Sequence, residues 1–414
     1  MTEQPMESWS EAPPAGRPDS PLARLMDRLL AATGNPPVTL VLWNGVEVTS
    51  PGRLPVARIR INDRAALFSL LLDHQFQFGE LYSAGRLQIE GDLVACLEAL
   101  YRANPGSGGW LDRMGIRRRR LNTLSGSREN IHRHYNLGND FYRLWLDQRM
   151  LYTCAYFPDG SETLEAAQIA KMEHVCRKLW LKPGERVVEA GCGWGGLAMH
   201  MARHYGVTVK AYNISQEQLA YARQAAQQEG LQDRVEFIED DYRNIRGEFD
   251  AFVSVGMLEH VGPENYPALG KIIARCLKPE GRGLIHTIGR NQPRPMHVWI
   301  EKRIFPGACP PSLRQMMEIF EPSGFSVLDV ENLRRHYAKT LEHWLARFDA
   351  AESTIAGLYG ENFVRAWRLY LAGSTAAFTT GDLQLFQVTF APGQSNDIPW
   401  NRQYLYRDAP LGNL

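Results

Sequence analysis

Val187-Val188-Glu189-Ala190-Gly191-Cys192-Gly193-Trp194-Gly195-Gly196 is the stretch on which the reading of this chain turns. A buried strand starting at Arg186 runs straight into a glycine cluster, and a helix over Leu197 to Tyr205 follows. The glycines permit backbone angles that side chains forbid, and they let a ligand approach the main chain. A dinucleotide fingerprint would space them G-x-G-x-x-G and set a diphosphate on the helix. Here an acid, Glu189, stands two residues before the first glycine. S-adenosylmethionine has no phosphate, and its amino-acid end presents an ammonium group that such an acid can hold directly or through water. The order strand, acid, glycines therefore points to this methyl donor over NAD. The plain structural alternative is a glycine-rich turn with no ligand.

Working outward, strand-like and helical segments alternate. Strands are predicted at Val207 to Asn213, Val235 to Glu239, Phe249 to Val255 and Gly283 to Ile288. Helices are predicted at Leu164 to Leu179, Gln216 to Glu229 and Tyr266 to Leu277. That alternation is the pattern of a parallel sheet covered by helices on both faces. The second strand ends in Asn213 where a ribose-binding acid is common, so Asn213 and Gln218 are candidates to do that work through neutral hydrogen bonds. Asp240-Asp241-Tyr242-Arg243 ends the third strand, where an adenine ring would lie.

Upstream the texture differs. Residues 1–20 read as a flexible lead-in rich in Pro, Ser and Glu, without the cationic start and apolar core of a secretory signal. Residues 21–104 read as a small α+β domain, with a possible lipid-handling role. It has strands at Val38 to Trp43 and Val56 to Ile61, a turn at Asn44-Gly45, and a helix capped by Asn62 or Asp63 running through Leu72. Gly79, Gly85 and Gly91 are expected to punctuate short strands, and Leu93 to Tyr101 to be helical. Residues 105–128 read as a basic linker carrying Arg117-Arg118-Arg119-Arg120. The run is either a solvated face or a docking patch for an anionic membrane; at about 1 kcal/mol per basic residue it would support transient contact only. Residues 129–414 then form the catalytic domain.

Lys and Arg balance Asp and Glu, 46 against 46, which removes the global field expected of a nucleic-acid binder. Six cysteines show no C-x-x-C pair, which favours free thiols in a reducing compartment and disfavours zinc. No apolar run reaches the roughly 18 residues of a membrane span. The expected location is the cytoplasm, in peripheral contact with the inner face of the membrane. A homodimer is left open.

Six further segments accompany the glycine motif. They are His134-Tyr135-Asn136-Leu137-Gly138-Asn139-Asp140-Phe141-Tyr142, Leu151-Tyr152-Thr153-Cys154-Ala155-Tyr156-Phe157, Gly256-Met257-Leu258-Glu259-His260-Val261-Gly262, Ile285-His286-Thr287-Ile288-Gly289, Ile304-Phe305-Pro306-Gly307 and His336-Tyr337-Ala338-Lys339-Thr340-Leu341. Together they resemble the cyclopropane fatty acid synthases, a family that includes the mycolic acid methyltransferases. The likeness runs from about Glu129 to Phe390. It implies a class I S-adenosylmethionine-dependent methyltransferase fold, Rossmann-like and mainly parallel. It also implies an unsaturated acyl substrate, commonly on a membrane phospholipid, whose alkene attacks the sulfonium methyl. A carbocation then loses a proton to bound bicarbonate and closes a cyclopropane ring.

Carried over position by position, Tyr152, Thr153, Val187, Val188, Glu189, Ala190, Gly191, Cys192, Gly193, Trp194 and Gly195 fall on donor-binding segments of the family. So do Asn213, Ile214, Ser215, Gln216, Glu217, Gln218, Tyr242 and Arg243. Cys154, Glu259, His286, Ile288 and Tyr337 fall on bicarbonate-binding positions. Ser374 stands where some members have a cysteine. An alkene is a poor nucleophile, so positioning carries most of the work, and a carbocation requires a dry pocket. Tyr156, Phe157, Trp299 and Phe305 lie near the motifs, with ordinary core packing as the simpler account of each. A relative that methylates the lipid without closing a ring, leaving a branched or methylene product, fits the same residues.

Overall fold

The computed structural model of the chain describes residues 20–52, 54–103 and 137–406. The chain divides into two compact units, Met1–Ser107 and Gly108–Leu414. Most of the proposed lead-in, the Arg117 to Arg120 run and His134 to Asn136 lie outside the described residues.

In the first unit, α1 (Pro21–Ala32) starts where Ser20 Oγ accepts from the Ala23 N–H. Four strands follow in the spatial order β2-β1-β3-β4: β1 (Val38–Leu42), β2 (Glu47–Thr49), β3 (Ala57–Ile61) and β4 (Leu87–Glu90). Alternation along β3 buries Ile59 and Ile61, while Arg58 and Arg60 pair with Glu90 on the wetter face. Asp63 caps α2 (Arg64–Ser83). This helix overturns one expectation: Gly79 lies inside it and punctuates no strand. The helix runs past Leu72 because Asp73, at φ −150° and ψ 75°, breaks the winding and then accepts from the Phe76 N–H, starting the next turns as a second cap. Only β4 lies between Gly85 and Gly91, and α3 (Leu93–Ala103) follows.

The second unit contains, in chain order, α4 (Asn139–Arg143), α5 (Leu164–Lys178), β5 (Arg186–Ala190), α6 (Gly196–Tyr205), β6 (Thr208–Asn213), α7 (Gln216–Gln228), β7 (Val235–Glu239) and β8 (Phe249–Val255). It continues through α8 (Tyr266–Cys276), β9 (Leu277–Gly289), α9 (Val298–Arg303), α10 (Leu313–Phe320), β10 (Phe325–Asn332), α11 (Arg334–Ala350), α12 (Glu352–Tyr359), α13 (Glu361–Thr380) and β11 (Gln384–Pro392). Seven strands pair in the order β10-β11-β9-β8-β5-β6-β7. The five from β9 to β7 are parallel, and β11 is antiparallel to both its neighbours. This is the expected α/β fold, with two antiparallel strands added at one edge.

After β5 the chain builds outward to β6 and β7, then returns to place β8 and β9 on the other flank. Strand order therefore reverses between β5 and β8, and the crevice at their carboxyl ends is where such sheets bind ligands. Alternation splits the core in two. Val187, Val209, Ala251, Val253 and Leu284 pack under Met172, Leu197 and Leu219. Val188, Ala190, Phe252, Ile285 and Val388 pack under Tyr266, Leu269, Ile273 and Phe320. Glu189 lies between Val188 and Ala190 and so shares the first face, under α5.

Candidate active site

The loop after β5 is closed by its own main chain. Gly191 N–H and Cys192 N–H both donate to the Tyr212 carbonyl, at 2.9 and 3.1 Å, and Gly195 N–H donates to the Cys192 carbonyl at 2.9 Å. Gly191, Gly193 and Gly195 have φ of 86°, 54° and 83°, the left-handed region that side chains disfavour. A Cβ on Gly195 would sit 2.6 Å from the Phe237 ring, whereas one on Gly193 would meet nothing within 4 Å. Gly193 thus faces open space at the carboxyl end of β5. Trp194 turns the other way, donating from Nε1 to Asn139 Oδ1 at 2.7 Å and packing on Tyr142, which ties the loop to α4.

Glu189 is 2 % exposed, and its Oε2 is buried without a hydrogen-bond partner. Burial pushes its carboxyl up to about 8, with the nearby charge of Lys171 opposing. A buried acid with an open oxygen beside a glycine loop that leaves room is the fit an ammonium-bearing ligand requires. Asn213 is engaged within the protein: its Nδ2 donates to the Gly193 carbonyl (3.1 Å) and Gln218 Oε1 (2.8 Å). Its Oδ1 accepts from Ile214 N–H (2.8 Å) and Ser215 N–H (3.2 Å). All four of its hydrogen-bonding positions are filled by the protein, so it braces the two loops against each other. Ser215 caps α7, and the neighbouring Gln216 and Glu217 are exposed, Gln216 reaching Glu239 at 2.7 Å. Arg243 packs over the Tyr242 ring and pairs with Asp241.

The Leu151 to Phe157 segment is positioned by α5. Gln168 Nε2 donates to the carbonyls of Leu151 (3.2 Å) and Thr153 (2.9 Å). Lys171 Nζ donates to Thr153 Oγ1 at 2.7 Å. Lys171 is fully buried, and burial draws its ammonium down to about 8. Thr153 lies against the end of β8, since a Cβ on Gly256 would be 3.0 Å from its Cγ2. Tyr152 shares a 2.7 Å hydroxyl contact with Tyr370. Ala155 N–H donates to Thr340 Oγ1 at 3.0 Å, which fastens the segment to α11 one turn beyond Tyr337. Cys154 is fully buried, its thiol donates to the Ala155 carbonyl, and burial pushes its pKa far up, the opposite of a nucleophile.

Glu259 sits in the 3-10 turn Leu258–His260 that follows β8. Its carbonyl accepts from Cys309 N–H at 2.7 Å, and its Oε1 accepts from Ile288 N–H at 2.8 Å, so it closes the end of β9. Its Oε2 is buried with no partner. Burial pushes this carboxyl up to about 7, opposed by the Ile288 hydrogen bond. His286 lies two residues before Ile288 on β9, 1 % exposed, with Nε2 buried and unpartnered. Tyr337 is in the first turn of α11, its ring against Phe378 at 4.6 Å. The structure thus joins Glu259 to Ile288 directly and Cys154 to the helix of Tyr337 through Thr340.

Sequence reasoning missed Gln168, Lys171 and Gln387, and gave no role to Thr340 within the quoted His336 to Leu341 segment. Each is a polar residue inside a regular element and fully or nearly fully buried. The aromatics singled out have packing partners: Tyr156 stacks between His174 and His336, Phe157 beside His343, and Phe305 against Tyr370, while Trp299 is buried at 3 % exposure.

Residues 123–388 match the family model of mycolic acid cyclopropane synthetase, and residues 25–107 match a domain of unknown function. A probable fatty acid methyltransferase of Pseudomonas putida is 36% identical over 383 residues, covering 90% of this chain and 96% of that protein. The cyclopropane-fatty-acyl-phospholipid synthase of Escherichia coli K12 is 46% identical over 266 residues, covering 64% of this chain and 68% of that protein. Among solved structures, the mycolic acid cyclopropane synthase CmaA1 complexed with SAH and CTAB superposes with a TM-score of 0.60 at 32% identity, over 64% of this chain and 97% of that one. The cyclopropane synthase MmaA2 from Mycobacterium tuberculosis gives 0.61 at 29% identity, over 64% and 98%.

Proposed function

The chain belongs to the mycolic acid cyclopropane synthetase family, and from that premise we propose that it converts the double bond of an unsaturated acyl chain on a membrane phospholipid into a cyclopropane ring. It is an S-adenosylmethionine-dependent methyltransferase whose reaction is methyl transfer to unsaturated lipids. The donor supplies an electrophilic methyl, so no metal is called for. In this reading Glu189 holds the donor's ammonium, and the open face at Gly193 admits its amino-acid end. The loops after β6 and β7, with Tyr242 and Arg243, flank its nucleoside, and Tyr152 and Thr153 close over it.

Proton removal is assigned to the other flank. Bicarbonate held by Glu259, His286, Tyr337 and the main chain near Cys154 and Ile288 supplies the base. Glu259 carries this reading. Burial pushes its carboxyl up to about 7 and so favours the protonated form, whose unpartnered Oε2 offers an O–H to an anion without repelling it. His286 offers a second buried position of the same kind. The lipid reaches the site from the inner membrane surface, through transient contact. Among the described residues no helix is long and apolar enough to cross a membrane.

The test is mass spectrometry of lipids from cells with and without the gene. Monounsaturated chains should gain one CH2, with fragmentation showing a ring; a branched product would move the assignment to methylation without closure. With purified enzyme and unsaturated phospholipid vesicles, depleting bicarbonate should slow turnover and adding it back should restore it.

A further inference from the structure

β9 and β11 run antiparallel, and their register places Gln387 directly opposite His286. Both are buried, at 0 % and 1 % exposure. Gln387 lies on a strand whose residues are buried on both faces, where a polar amide is costly unless it is bonded. Its Nε2 meets His286 Nδ1 at 2.9 Å. With the amide in this orientation, which leaves Gln387 Oε1 buried without a partner, Nε2 donates and Nδ1 is the bare nitrogen of the ring. A ring with a bare Nδ1 carries its proton on Nε2, and that Nε2 is buried without a protein partner.

We propose that Gln387 is a positioning residue for the reaction: it fixes His286 as the tautomer that presents Nε2–H to the anion held beside Glu259. Which imidazole nitrogen carries the proton is decided by what the other one bonds. Nothing else in the hydrogen bonding of the ring makes that choice. Burial keeps the ring neutral. The charges of Lys171, Lys178 and His174 from α5 act in the same direction and push its pKa further down, with Glu331 from β10 opposing. Glu331 stands opposite Gln387 on the next strand, but its Oε2 is held by His174 Nε2 (2.7 Å) and Lys178 Nζ (2.6 Å). The carboxylate is thereby engaged in an ion pair, leaving the amide of Gln387 to the imidazole. The row Glu331, Gln387, His286 crosses three strands on one face, and only its last member was visible as a candidate in the sequence.

This inference rests on the bicarbonate reading, and the experiment separates the two. Histidine labelled with 15N in the full-length enzyme, with His286 assigned from the signal lost in His286→Gln, reports the tautomer directly. The native protein should show Nε2–H at His286, and Gln387→Met, similar in volume with no donor, should shift it towards a mixture. The variant should also show kcat lower by about tenfold to a hundredfold and a raised KM for bicarbonate, with unchanged affinity for S-adenosylhomocysteine. A native His286 carrying its proton on Nδ1 overturns the proposal, whether or not Gln387→Met folds. So does a folded Gln387→Met enzyme with native tautomer and native kcat. A native enzyme indifferent to bicarbonate would instead remove the base reading while leaving the tautomer assignment standing.

Discussion

On the β5–β6–β7 flank of the crevice the loops are held largely through main chain. Gly191, Cys192 and Gly195 bond to backbone carbonyls, Asn213 has all its positions filled, and Gly193 leaves space where a side chain would be. On the β8–β9–β11 flank the wall is made of side chains drawn from distant segments, and buried atoms of Glu259 and His286 have no partner. In the proposed reading the first flank works by leaving room, with Glu189 as its one supplied group, and the second works by supplying groups. The first should therefore be vulnerable to added atoms and the second to removed ones.

The largest effect is expected from addition on the first flank. Gly193→Leu meets no protein atom near its Cβ, so the fold should survive with only the modest strain of φ 54°. Binding of S-adenosylhomocysteine, read by calorimetry, should weaken by roughly a thousandfold, about 4 kcal/mol. Retained binding would erase the distinction between the flanks. Subtraction on the second flank comes next. Tyr337→Phe removes one hydroxyl and should lower kcat by about a hundredfold while leaving donor affinity unchanged; native turnover in that variant would place the base elsewhere.

Glu189 makes the comparison sharper, because it is the one buried unpartnered carboxyl on the donor flank among the described residues. Its pKa is raised to about 8 in the free protein, and a bound ammonium favours the ionised form. Binding then releases a proton, so affinity should rise with pH, by up to about tenfold per unit below pH 8, and level off above it. Glu189→Gln should bind more weakly and lose that slope; an unchanged slope would mean another group titrates. The smallest effect is expected at Cys154. Burial holds its thiol protonated, so Cys154→Ala should change kcat by less than about threefold at saturating substrates. A larger loss would give the thiol a part it lacks in this account.

The two flanks also differ in how well they could be read from sequence. Glu189 to Gly195 is contiguous, and its strand, glycine turn and helix follow from local pattern, so the architecture of this loop was legible. β5, β7 and β8 begin and end at the expected residues. β10 and β11 did not enter the expected alternation: they pair antiparallel with each other, and two long helices, α11 and α13, intervene between them, so they lack the βαβ rhythm. Gln387 was invisible for the same reason: its meaning lies in the register against His286, and register is a tertiary fact. Lys171 and Gln168 sit in a helix whose polar residues look like a wet face until the Leu151 to Phe157 segment covers them. Gly79 shows the reverse error, a breaker signal overruled by a helix that restarts at Asp73.

The hydrogen bond between Trp194 Nε1 and Asn139 gives the donor loop an optical handle. The indole is 4 % exposed, flanked in sequence by Gly193 and Gly195, and its ring lies 5.1 Å from that of Tyr142. Its emission therefore reads the polarity and hydrogen bonding of the loop itself, and the chain's other nine tryptophans can be subtracted as background by comparing the native protein with Trp194→Phe. Ligand binding beside this loop thereby becomes a fluorescence change that stopped-flow mixing can follow in real time, before any methyl group has moved.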